Sequence, residues 1–118
     1  MVELKQRQCV GVIDNSRGVG MIYNMKAEVI ESYKVPMDED SFVQIVIWKL
    51  PRKMPGTDHR FKYRLAYIEG DVCVIRYDNE AGKGDHRHIG NKEAEYQFRD
   101  TDTLQVDFWT DVENWRRK

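Results

Sequence analysis

From Met25 onwards the chain alternates between apolar and polar positions with a period of two. That is the spacing of a strand with one face turned to a core. Residues 27–35 mix Val29, Ile30, Tyr33 and Val35 with charged neighbours and read as a first strand. Pro36-Met37-Asp38-Glu39-Asp40 reads as a turn. The run Phe42–Trp48 is almost wholly apolar, which predicts a central strand covered on both faces. Two prolines, Pro51 and Pro55, end it, because proline cannot donate to a ladder. Next, Phe61, Tyr63, Leu65 and Tyr67 alternate with Lys62, Arg64 and Ala66. A tight turn at Glu69-Gly70-Asp71 then predicts an antiparallel partner over Val72–Tyr77. His86–Ile89 and Glu95–Phe98 are short extended candidates.

The period changes at the C-terminus. Leu104, Phe108, Val112 and Trp115 recur at helical spacing, with Asp100 or Thr101 placed to cap the start. The order of elements predicts an α+β fold: an antiparallel sheet of about four to six strands with a C-terminal α-helix packed on one face. Trp48, Phe98, Phe108, Trp109 and Trp115 are accounted for as core. Residues 1–24 are thinly apolar and turn-rich around Asp14–Gly20, with a possible strand at Cys9–Ile13. They read as a leader or extra N-terminal segment before a single domain over 25–118.

Composition narrows the functional classes. In 118 residues one third are charged, yet the net charge is −1. No whole-protein basic field exists, so any binding of nucleic acid has to rest on a local cluster of Lys and Arg. Cys9 and Cys73 make no disulfide framework, and no apolar run approaches a membrane span. The expected setting is the cytoplasm, with no membrane.

The densest chemistry lies in Arg76–His88, from the end of an apolar strand through Gly82-Lys83-Gly84 to a His-x-His pair. On a strand His86 and His88 share a face, while Asp85 and Arg87 take the other. The glycines could let backbone amides approach an anion, with Lys83 adding a charge, although the Gly-Lys-Ser/Thr ending of a Walker loop is missing. A plain hairpin turn explains Lys83 as well. The histidines could ligate a metal with Asp85 or Asp78 as a third ligand, or one could transfer protons. Proton transfer is preferred, because no cysteine cluster completes a closed site, and neither a metal nor a cofactor is expected.

Cleavage of RNA by its own 2′-hydroxyl needs a base, an acid and cations round the phosphorane. The candidate catalytic set is His86, His88, Asp78, Lys83 and Arg87. Candidate substrate contacts are Lys62, Tyr63, Arg64, Arg76, Tyr77, Asn79 and Asp85, the tyrosines stacking bases or donating to phosphate. For the basic stripe Lys62, Arg64 and Arg76, the competing explanation is a solvated sheet face. His59 has no local partner.

At these residues the chain resembles the TumE family, small bacterial and archaeal toxins of type II toxin–antitoxin modules. The resemblance is carried by His59-Arg60-Phe61-Lys62-Tyr63-Arg64-Leu65, by Arg76-Tyr77-Asp78-Asn79-Glu80 and by Gly82-Lys83-Gly84-Asp85-His86-Arg87-His88, followed by Tyr96-x-Phe98. It spans roughly Met25 to the end. The resemblance implies a toxin with a cognate helix-turn-helix antitoxin. RNA cleavage is an analogy to other small toxins. Two alternatives stay open: a nucleotidyl or phosphoryl transferase with Mg²⁺ on Asp78 or Asp85, and a non-enzymatic module binding nucleic acid or protein. A homodimer is also possible.

Overall fold

A computed structural model describes residues 27–117. The expected leader over 1–24, its Cys9–Ile13 strand and the 24/25 boundary lie outside them. Six strands follow one another: β1 (Glu28–Asp38), β2 (Ser41–Lys49), β3 (Phe61–Glu69), β4 (Val72–Glu80), β5 (Gly84–Ile89) and β6 (Lys92–Glu95). They form one antiparallel meander in sequence order, closed by a helix α1 (Thr101–Arg116) on one face. The α+β reading holds.

Alternation decides which side chains meet the helix. Val43, Ile45 and Ile47 of β2, Tyr63, Leu65 and Tyr67 of β3, and Ile75 and Tyr77 of β4 pack with Leu104, Phe108 and Val112 of α1 into one buried cluster. This is the helical stripe expected from Leu104, Phe108 and Val112. Trp115 is only partly buried, and its indole N–H donates to Glu69 at 3.1 Å. Asp100 is the cap, accepting the Thr103 N–H at 2.6 Å and satisfying one of the helix's free amides. At the other end the Arg116 guanidinium reaches back to the Tyr67 hydroxyl at 2.8 Å and to Asp38 at 3.2 Å, fixing the helix end on the first three strands.

The polar groups of this face are stitched across the layer. Tyr33 donates to Gln105 at 2.8 Å, Tyr96 to Asp107 at 2.6 Å, and Tyr77 to Asp111. Burial, and then the acceptor carboxylates, hold the Tyr77 and Tyr96 hydroxyls well above their ordinary range, so both stay protonated donors.

Several boundaries differ from expectation. β1 runs through Pro36 to Asp38 with an irregular register there, and the turn is only Glu39–Asp40. Pro36 sits opposite Phe42 on a strand whose single described neighbour is β2, the edge position where a missing N–H is tolerated. β2 is not sealed on both faces: Val43, Ile45 and Ile47 are buried, but Phe42, Val46 and Trp48 are half-buried. The expected partner Val72–Tyr77 is longer, since β4 continues to Glu80 and β5 restarts at Gly84, so most of Arg76–His88 is strand. The sixth strand is Lys92–Glu95 rather than Glu95–Phe98, because the two-residue turn Gly90–Asn91 pairs Ile89 with Lys92.

Candidate functional site

The second face of the sheet, away from α1, carries what alternation leaves over. In register, Arg64 of β3 stands opposite Asp78 of β4, and Asp78 opposite His86 of β5. One step along, Arg76 faces His88, which faces Glu93 of β6. A cleft of about 380 Å³ is lined by Arg76, Asp78, Glu80, Lys83, His86, His88 and Glu93. Antiparallel pairing alone therefore gathers groups separated by up to 17 residues of chain between Arg76 and Glu93.

Asp78 is the buried centre, 5% exposed. Its Oδ2 lies 3.1 Å from Arg64 and 3.6 Å from the Nε of Arg76. Two largely buried guanidinium groups thus share one carboxylate. Among the described residues Arg64 Nε and Nη1 and Arg76 Nε are buried without an acceptor, so the cations are under-compensated. Burial pulls the Arg64 guanidinium down to about 10, still charged at neutral pH. Lys62 donates to the Asn79 carbonyl, and its ammonium is lowered first by burial and then by Arg64 beside it.

The hydrogen-bond partners place hydrogens on opposite nitrogens of the two imidazoles. Arg76 Nη2 lies 3.0 Å from His88 Nε2. A guanidinium can only donate, so Nε2 is an acceptor and His88 is the neutral Nδ1–H tautomer. Burial, followed by Arg76, holds its pKa below the ordinary histidine value. His86 Nε2 lies 2.8 Å from the Lys83 carbonyl, which can only accept, so that nitrogen carries the hydrogen. Its Nδ1 lies 3.5 Å from Glu93, where a second proton would be received.

The candidates named from the sequence divide by face. His86, His88, Asp78 and Lys83 line the cleft with Arg76, and Arg64 adjoins it through Asp78. Arg87 is on the helix side, 3.5 Å from Asp111, and Tyr77 binds the same aspartate. Tyr63 and Asn79 are fully buried. The Asn79 amide donates to the Phe61 carbonyl at 2.7 Å and accepts the Tyr63 N–H at 3.1 Å, extending the β3–β4 ladder where backbone pairing stops. Asp85 accepts the Tyr63 hydroxyl at 2.6 Å and lies 2.8 Å from His59 Nε2. His59 therefore has a partner, across 26 residues, and its Nδ1 accepts the Phe61 N–H at 3.1 Å.

The Gly82-Lys83-Gly84 turn is tied differently from an anion cradle. The Gly82 N–H donates to the Pro55 carbonyl at 2.7 Å and the Lys83 N–H to Glu80 at 3.0 Å. Gly56 packs so closely that a Cβ there would stand 3.1 Å from the Gly82 backbone. The turn is braced by the loop before β3, and its contribution to the cleft is the Lys83 side chain, 71% exposed.

Sequence reasoning missed two residues of the cleft: Glu80, which lies 3.7 Å from Lys83, and Glu93. Glu93 stands 3.5 Å from His86 and 3.6 Å from His88. The signal for Glu93 was Gly90–Asn91: reading it as a two-residue hairpin turn places Glu93 opposite His88. No group of three His, Cys, Asp or Glu side chains among the described residues is arranged to hold a metal ion.

The profile of the family described as Toxin TumE matches residues 21–116. The chain belongs to the TumE toxin family. Membership supports a toxin role for this TumE-family chain. No curated protein and no solved structure matched it. Among the described residues no helix is long and apolar enough to cross a membrane.

Proposed function

We propose that this toxin cuts single-stranded RNA without a metal ion, using the cleft between β4, β5 and β6. The reading rests on one observation: a neutral imidazole and a second one placed to carry a proton share a cleft with Arg76 and Lys83. His88 Nε2 is the base that takes the proton of the 2′-hydroxyl. The 2′-oxygen then attacks phosphorus, and the P–O5′ bond breaks as His86 gives a proton to the leaving oxygen. Lys83 and Arg76 balance the charge of the phosphorane. Glu93, close to both rings, stabilises whichever is protonated. Arg87, which the sequence placed in the catalytic set, instead supports the β5–α1 contact through Asp111. Tyr77 and Asp85, named there as substrate contacts, have the same supporting character. As in other toxin–antitoxin modules, the partner is an antitoxin, here a helix-turn-helix protein.

The decisive experiment incubates the purified chain with single-stranded RNA in EDTA. The products should end in 2′,3′-cyclic phosphate, and a 2′-deoxy residue at the cut position should block cleavage. Loss of activity in EDTA with recovery in Mg²⁺ would move the assignment to a metal-dependent phosphoryl or nucleotidyl transferase. Growth arrest by the chain with no action on RNA would leave binding as the mechanism.

A further inference from the structure

The Arg76–His88 contact raises a difficulty for a resting base. The lone pair that would take the proton is already engaged by a cation. We infer that Arg76 caps the His88 base in the free protein and moves onto the substrate phosphate when RNA binds, so that the base is released only in the loaded cleft. This rests on the ribonuclease reading, and it adds a control step to the same site.

Three features make the exchange feasible. Arg76 is poorly satisfied where it lies: its Nε is buried with no acceptor, at 3.6 Å from a carboxylate that already holds Arg64 at 3.1 Å. A phosphate oxygen would give it the charged acceptor it lacks. Asp78 keeps Arg64 when Arg76 leaves, so no buried carboxylate is stranded. Finally, His88 Nε2 already stands 3.6 Å from Glu93 and 3.9 Å from Asp78. Those contacts are idle while Nε2 accepts from Arg76, and become favourable once it is protonated. The groups facing the ring are Arg76 and Asp78 from β4, His86 from β5 and Glu93 from β6. Exchange of the one guanidinium for a phosphate leaves two carboxylates and an anion around it.

Imidazole nitrogen NMR of the full chain tests this without requiring activity. In phosphate-free buffer His88 should show an unprotonated Nε2 and a hydrogen on Nδ1. Inorganic phosphate should raise its pKa by about one unit, the scale of trading a close cation for an anion. His59, held by Asp85 and the Phe61 N–H, should not respond. In Arg76→Met the free pKa should already be raised by about one unit, and phosphate should add less than half of its wild-type effect. A hydrogen on Nε2 in the free protein, or a phosphate response as large in Arg76→Met as in wild type, overturns the cap. If the variant does not fold, the wild-type titration decides: no shift with phosphate, or with a 2′-deoxy oligonucleotide, overturns it too. RNA cleavage without the shift removes the cap and keeps the ribonuclease; the shift without cleavage does the reverse.

Discussion

The two faces of this sheet are built from the same strands, one residue apart, and they treat polar groups in opposite ways. On the helix face the inward tyrosine hydroxyls have acceptors waiting: Tyr63 with Asp85, Tyr77 with Asp111, Tyr96 with Asp107. On the second face Arg64 and Arg76 share Asp78, and three guanidinium nitrogens have no acceptor among the described residues. The first arrangement leaves little electrostatic work undone, as expected where packing sets stability. The second crowds two guanidinium groups onto one carboxylate and leaves Arg76 with an unmet donor, which suits a surface that receives an anion. Charge that is costly to hold in a resting state is tolerated where a substrate completes it.

The sharpest way to break this comparison is to mutate each face and ask which property falls. His88→Ala should lower the rate of RNA cleavage roughly 10²–10⁴-fold by removing the base. Denaturant titration should show a stability loss of only about 1 kcal/mol or less. In the wild-type pH profile of kcat/KM the acid limb should fall below the ordinary histidine range. Burial and Arg76 hold His88 neutral, so activity is lost only when falling pH protonates it. An acid limb at or above the usual histidine value would contradict that assignment.

Phe108→Ala is the converse test. Its ring is fully buried between helix and sheet, and its removal should cost about 3–5 kcal/mol in urea unfolding. A change below about 0.5 kcal/mol would show that the helix does not hold the core. Asp78→Asn probes the crowded centre, leaving two mostly buried guanidinium groups without their counter-charge. About 2–3 kcal/mol is expected, below the value for a fully buried pair because both cations keep some exposure. If thermal unfolding instead shows Asp78→Asn to be neutral, Asp78 is not the organising charge of that face.

The smallest expected effect sharpens the boundary between the faces. Gly56→Ala introduces a side chain at φ +88° against the Gly82 backbone, at a cost of about 1–2 kcal/mol. It should also shift Lys83 and lower the RNA-cleavage rate more than its stability loss explains. Unchanged cleavage at saturating RNA would show that the brace between the two loops serves folding only.

The period-two alternation in the sequence was enough to assign β3 and β4 and to separate Tyr63 and Tyr67 from Lys62 and Arg64. It also put His86 and His88 on one face with Arg87 on the other, because each side chain's face on a strand is a local property. The spacing of Leu104, Phe108 and Val112 likewise determined the helix and its buried stripe. What local pattern could not carry was register. Glu93 meets His88, and His59 meets Asp85, only because particular residues pair across strands and a loop folds back on a turn. Nor could it show that Asn79 and Asp85 spend their polar atoms inside the fold, or that Arg76 occupies the lone pair of His88. Hydrogen-bond partners and the state of a proton depend on distances of a few ångströms between residues remote in the chain, and only the tertiary structure sets those.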